Sequence, residues 1–179
     1  MKSFAAMLGE AKMPEKTVPV CLRGDLTADF EEVDRQLEAA QKKPASSLAG
    51  SGTGALLERL DALAVEMAEH TYTFRLRAMP RHAWLELMAA HPPRKDDEGD
   101  PLVEDRMTGA NRLTVFEPMV RMSIIDPELD DEQWKKLLAA LTDRQFEDLV
   151  NAAWDLNQGK VDVPFSRAAS QARRTTSDG

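Results

Sequence analysis

Three histidines, a single cysteine, a glycine cluster and an acidic run are the residues of this 179-residue chain whose types could do chemistry. A metal site would draw on His70, His82 and His91, yet none is spaced i, i+4 from another histidine or set beside a cysteine, as a zinc site needs. His82 and Glu86 share a helical face, a spacing that reads first as an ordinary surface contact. The run Asp96-Asp97-Glu98-Gly99-Asp100 has the look of a calcium loop, but the oxygen ligands before the glycine are out of register and no glutamate follows at the right distance. It reads as a solvated acidic loop. Cys21 would need an activated thiolate to act as a nucleophile, and in an apolar strand it reads as a small hydrophobe. Gly50, Gly52 and Gly54 lack the lysine and the preceding strand of a phosphate-binding loop. These residues assemble no catalytic, metal or cofactor site, so the expectation is a binding protein that is not an enzyme and takes no cofactor.

Methionine stands out instead. Nine are present, and Met7, Met13, Met67, Met79, Met88, Met107, Met119 and Met122 are spread over expected helices and connections. Methionine fills irregular space in cores and also adapts to varied apolar partners, so both core filling and a binding groove are open at this point. The net charge of −8 opposes nucleic acid as a main partner, because phosphate binding rests on clustered Lys and Arg. Arg167, Arg173 and Arg174 near the end read as a solvated tail. A lone cysteine permits no intrachain disulfide and suits a reducing compartment. The apolar run Phe4 to Leu8 is short for a secretory signal, and no stretch approaches the ~20 apolar residues of a membrane helix. A cytoplasmic location and no membrane partner are expected.

The elements that must position any binding surface follow from periodicity. Val18, Val20 and Leu22 alternate with Thr17, Pro19 and Cys21, predicting an edge strand over 17–23, and Tyr72, Phe74, Leu76 and Ala78 predict a second over 71–78. The two are expected to pair as a small β-ribbon. Helices are predicted over 27–42, capped by Thr27, and over 55–70, 80–91, 114–125, 131–141 and 143–158. Thr114 with Glu117 and Thr142 with Gln145 have the spacing of capping boxes, and Asp130 is a further cap. Pro118 is placed in the first turn, and Asp126-Pro127 ends that helix. The fold class expected is mainly α (α+β): an antiparallel helical bundle over 80–158 with a two-stranded ribbon. The expected organisation is an arm over 1–14, a single domain over 15–166 with a flexible connection at 44–54, and a disordered tail over 167–179.

Several segments, in order, resemble the tail assembly chaperones of long-tailed (siphovirus-type) phages and prophages of actinobacteria. They are Thr17-Val18-Pro19-Val20-Cys21-Leu22-Arg23-Gly24-Asp25-Leu26, then Tyr72-Thr73-Phe74-Arg75 leading to Pro80-Arg81 and Trp84, then His91-Pro92-Pro93-Arg94. Asn111 to Phe116, Gln145-Phe146 with Ala152 to Asn157, and Val163-Pro164-Phe165-Ser166 continue the likeness, which spans residues 3–170. The resemblance implies a non-enzymatic protein of the host cytoplasm that binds the tape measure protein during tail assembly and is absent from the finished virion. It also implies a longer form made by programmed frameshifting, diverging near Arg173 to Gly179, and handover to tail tube subunits.

An acidic protein that covers apolar helical stripes would keep such a long partner dispersed. The expected contact residues are Trp84, Leu87 and Met88 on the helix over 80–91, Phe116, Met119 and Met122 on that over 114–125, and Trp134. Two other classes compete: a structural tail or adaptor protein of the virion, which would need self-complementary ring-forming surfaces, and a small helical regulatory protein, against which the acidic balance speaks where its target is nucleic acid.

Overall fold

A computed structural model of the chain describes residues 2–42 and 52–159. The expected disordered tail at 167–179, the Val163 to Ser166 segment and most of the 44–54 connection lie outside the described residues. The architecture is α+β, with eight helices and a small antiparallel sheet among the described residues.

Ser3 caps α1 (Phe4–Gly9), accepting a bond from the Ala6 amide. The helix carries Phe4, Met7 and Leu8 in exposed positions. Strand β1 (Glu15–Cys21) pairs antiparallel with β2 (Thr71–Arg77), Val18 opposite Phe74. Leu22 N–H donates to the His70 carbonyl at 3.0 Å and Ala78 N–H to that of Pro14 at 3.0 Å. These bonds turn the even-numbered main-chain groups of β1 toward β2. The Pro19 nitrogen therefore lies on the unpaired edge, where a missing donor costs nothing and interrupts the template for another strand.

The two-stranded ribbon expected from periodicity is in fact three-stranded, because β3 (Ile124–Asp126) adds to the far side of β2. Its three residues are too few to show an alternating pattern, and they run straight on from a helix.

Between β1 and β2 the chain runs out and back as two helices, α2 (Gly24–Gln41) and α3 (Thr53–Glu69). They pack chiefly on each other, burying Leu26, Leu37, Leu60 and Leu63, none of which belongs to the main core. The expected Thr27 cap is not used. The helix begins a turn earlier at Gly24, where Arg23 makes a 2.6 Å ion pair with Asp25, an acid well placed on the positive end of the helix dipole.

After the buried link Ala78-Met79 come α4 (Arg81–Ala90), α5 (Val103–Arg106), α6 (Arg112–Ser123), α7 (Asp131–Ala140) and α8 (Asp143–Gln158). Asp130 with Gln133, and Thr142 with Gln145, form reciprocal capping boxes that start α7 and α8. At α6 the Thr114–Glu117 box gives way to Asn111, whose side chain accepts the Leu113 amide. Asn111 as the cap moves the start forward, so Pro118 falls well inside α6 rather than in its first turn, and the helix stops at Ser123 before Asp126-Pro127.

These helices share one core with the sheet instead of closing into a bundle of their own. Val18, Val20, Phe74 and Leu76 meet Met119, Trp134, Leu149 and Ala153, while Thr17, Thr73, Arg75 and Arg77 leave the other sheet face polar and exposed. Three bonds seat α8 beneath the strands: Gln145 Nε2 to the Cys21 carbonyl at 2.7 Å, Met79 N–H to Asn157 Oδ1 at 2.8 Å, and Lys16 to Asp155 at 3.2 Å.

Leu149 is fully buried, so Leu149→Ala is expected to lower the unfolding free energy by about 2–5 kcal/mol in urea denaturation, whereas Met122→Ala, at a half-exposed site, should change it little. Ser123 Oγ is buried with no hydrogen-bond partner among the described residues. Ser123→Ala is therefore expected to stabilise the fold by about 1 kcal/mol in the same measurement.

Candidate functional site

Among the described residues a groove lies between α5, the start of α6 and one side of α8. One part, of about 600 Å³, is lined by Arg94, Glu104, Arg112, Leu113, Phe116, Asp143, Phe146, Glu147, Val150 and Asn151. A second part of about 300 Å³ shares Glu104, Arg112, Phe116, Val150 and Asn151 and extends to Met107, Thr108 and Trp154. The floor is apolar: Phe146, Val150 and Trp154 recur every four residues along α8 and so form one stripe, facing Phe116 across the groove. Two apolar side chains stand almost free of cover on its rim, Leu113 at 77% and Met107 at 93% exposure.

The wall carrying those two residues is built around one carboxylate. Asp105 is fully buried and accepts four hydrogen bonds, from Arg94 Nε at 2.9 Å, Arg94 Nη2 at 2.8 Å, the Arg94 amide at 2.8 Å and the Arg112 amide at 3.2 Å. The guanidinium contact, reinforced by the two amides and by charge attraction, holds the Asp105 carboxyl well below the usual carboxylate range despite the opposing effect of burial. One side chain thereby fixes three lining segments: Arg94 in the loop, Glu104 to Thr108 around α5, and Arg112-Leu113 at the head of α6. Gly109, with φ of 68°, makes the turn between α5 and α6, and Thr108 Oγ1 bonds the carbonyls of Asp105 and Ala110. Arg94 is thus half-buried and engaged, not part of a wholly solvated loop. The acidic run beside it is an ordered turn in which Asp96 Oδ1 accepts the amides of Glu98 at 3.0 Å and Asp100 at 2.9 Å.

Behind the floor, Trp84 packs edge-on to Trp154 with ring centroids 5.6 Å apart, and Phe116 meets Trp154 at 6.5 Å. Arg112 lies over the Phe116 ring at 5.5 Å from its centroid. The seven expected contact residues do not come together on one surface. Trp84, Leu87, Met119 and Trp134 are buried in the core, Met88 and Phe116 are half-buried against it, and Met122 is exposed. Only Phe116 lines the groove. Their helical spacing was legible, but the same apolar stripe serves burial and binding alike, and here the core takes most of it. An aspartate at Trp84 or Met119 would enter that core and disrupt folding.

Of the chemistry-bearing residues, His82 and Glu86 are exposed on α4, and His91 Nδ1 lies 2.9 Å from Thr114 Oγ1. Cys21 Sγ faces the Arg23 carbonyl at 3.7 Å. No group of three or more His, Cys, Asp or Glu side chains placed to hold a metal occurs among the described residues. Among the same residues no helix is long and apolar enough to cross a membrane. The groove residues that sequence reasoning missed are Met107, Leu113, Phe146, Val150 and Trp154. Asn111 was the available signal for part of them: as an N-cap it starts a helix that puts Leu113 and Phe116 three apart on one face.

Comparison with protein-family models, with curated proteins and with solved structures returned no match to this chain.

The Arg94–Asp105 cluster gives a pH signature. The folded carboxyl lies below its unfolded value of about 3.9, so its contribution is complete above that pH and is lost as the pH falls through the folded value. Thermal unfolding followed from pH 7 to pH 2 is expected to show Asp105→Asn less stable than the parent at neutral pH, the gap narrowing below about pH 4. A gap that stayed constant with pH would mean that the carboxylate charge is not what holds the wall.

Proposed function

We propose that this protein is a tail assembly chaperone of a long-tailed phage or prophage, which binds the tape measure protein and keeps it dispersed in the host cytoplasm until tail tube subunits enclose it. In this reading it acts by binding rather than catalysis, alongside a longer frameshifted form of itself, and is left out of the finished virion.

The observation that carries the reading is the groove of α5, α6 and α8. A stripe of large apolar side chains with Met107 and Leu113 standing clear on its rim is a surface built for another chain's apolar face, since large side chains in water are favourable only when something covers them. The groove follows α8 from Asp143 to Trp154, about 16 Å at 1.5 Å per residue, which suits roughly three turns of a partner helix laid into it. Methionine on the rim accepts differing side chains, as a long helical partner with many unlike stripes requires. The net charge of −8 keeps the loaded complex dissolved and apart from other copies.

Co-expression with the tape measure protein tests this. Met107→Asp and Leu113→Asp change side chains that touch water already, so the double variant should keep the parent's circular dichroism and thermal midpoint while losing co-purification with the partner. A double variant that still holds the tape measure protein in solution would refute the placement. Recovery of the parent protein in purified virions would favour a structural tail role instead.

A further inference from the structure

We infer that the groove selects its occupant by charge as well as by shape, and that it takes an amphipathic helix of another chain whose apolar stripe is flanked by lysine or arginine. The inference rests on the reading of this groove as a binding site and names the chemistry of what binds there.

Three carboxylates line the cavity, Glu104 on the α5 side with Asp143 and Glu147 along the first turns of α8. Two cations also line it, but they are not equally available. Arg94 is neutralised by the buried Asp105 carboxylate and is half-buried itself. Arg112 lies over the Phe116 ring, on the apolar floor. Arg112 keeps its charge there, and Arg144 pairs with Glu147 at 3.8 Å. With Arg94 and Asp105 cancelling, the carboxylates of Glu104, Asp143 and Glu147 exceed the cations around the opening by one, so the balance is negative, and the chain's overall charge of −8 extends that field outward. An incoming helix with acidic flanks would bring like charges to Glu104, Asp143 and Glu147 as it desolvated them. Basic flanks would pair with the same groups across the rim while the stripe covered Phe116 and Leu113. The arrangement also separates the two jobs: apolar side chains hold the helix, and the acidic rim accepts or rejects it.

Two labelled peptides of about 15 residues test this, each Ala-rich with Leu and Phe at i, i+3, i+4 and i+7, one with lysine and one with glutamate at the flanking positions. Titrated with the full chain and followed by fluorescence anisotropy, the lysine peptide should bind about tenfold more tightly at low salt, the sum expected of two or three exposed pairs. The preference should shrink as salt rises. A chain carrying Glu104→Lys and Glu147→Lys, shown folded by circular dichroism, should reverse the preference. Equal binding of both peptides, or a preference that the double variant leaves unchanged, would overturn the charge inference while leaving the groove as a binding site. Binding of neither peptide would overturn both readings. Self-association of the chain in sedimentation, abolished by Leu113→Asp and by loss of Phe4 and Leu8 from α1, would overturn the inference by making a second copy the occupant.

Discussion

The burial of α8 against the sheet is the contact on which the rest of the molecule is arranged. Leu149 and Ala153 are fully enclosed and Ala152 nearly so, and the two alanines let the helix axis come close to strands whose inward side chains are the larger Val18, Val20, Phe74 and Leu76. A helix pressed on a sheet has other sides to account for. On α8 one of them is met by α6, through the layer that includes Val115, Met119 and Val120. The remaining side carries Phe146 and Trp154, both half-buried, with the buried Val150 between them, and among the described residues it lines the groove. The groove is the part of this deeply seated helix that the fold leaves open, so its floor is continuous with the core behind it.

That division of apolar surface also explains the methionines. Met79 and Met119 fill space in the core, Met88 is partly enclosed against it, and Met7, Met13, Met107 and Met122 meet solvent. Core filling and surface display are both present in one chain, and what distinguishes them is the neighbourhood rather than the residue type. The edges of the sheet show a parallel economy. Pro19 interrupts the outer edge of β1, and the exposed sheet face carries Thr17, Thr73, Arg75 and Arg77, with Glu15 bridging to Arg77 at 2.6 Å. The sheet thus offers little to a partner strand, and the large apolar side chains near the groove are left as the more attractive surface.

How much of this was legible in the sequence depended on how local the signal was. The paired strands, the caps at Asp130 and Thr142, and the apolar spacing of the helices are contained within short windows, and they reappear with boundaries shifted by a few residues. β3 was missed because its residues Ile124 to Asp126 become a strand only through a neighbour some fifty positions earlier in the chain, Arg75 and Leu76 of β2. The helical hairpin of α2 and α3 was read as two helices, but nothing local said that they would cover each other rather than join the core. The burial of the expected contact residues was the least legible. Trp84 and Trp134 are large, aromatic and correctly spaced, and they are buried because other elements, distant in sequence, close over them. Asp105 was unremarked because an aspartate in a polar stretch normally faces water. Its importance lies in Arg94 and the Arg112 amide converging on it, a geometry that spacing does not encode.

The same carboxylate connects stability to recognition. Asp105 is buried where a charge is tolerable only with full hydrogen bonding, and all four of its bonds come from segments that line the groove. The wall bearing Met107 and Leu113 is therefore held in place before any partner arrives, and a partner need not supply the free energy of ordering it. A rim of exposed, unbranched or singly branched side chains on a fixed wall is a combination that suits unlike helices. Only the small Ala110 enters the core from the stretch between Arg94 and Leu113; had larger apolar packing held it instead of the polar hub, Val103, Met107 and Leu113 would be its natural anchors, and they would be turned inward. Fixing the loop by a polar hub beneath it is what leaves those three side chains free to face outward.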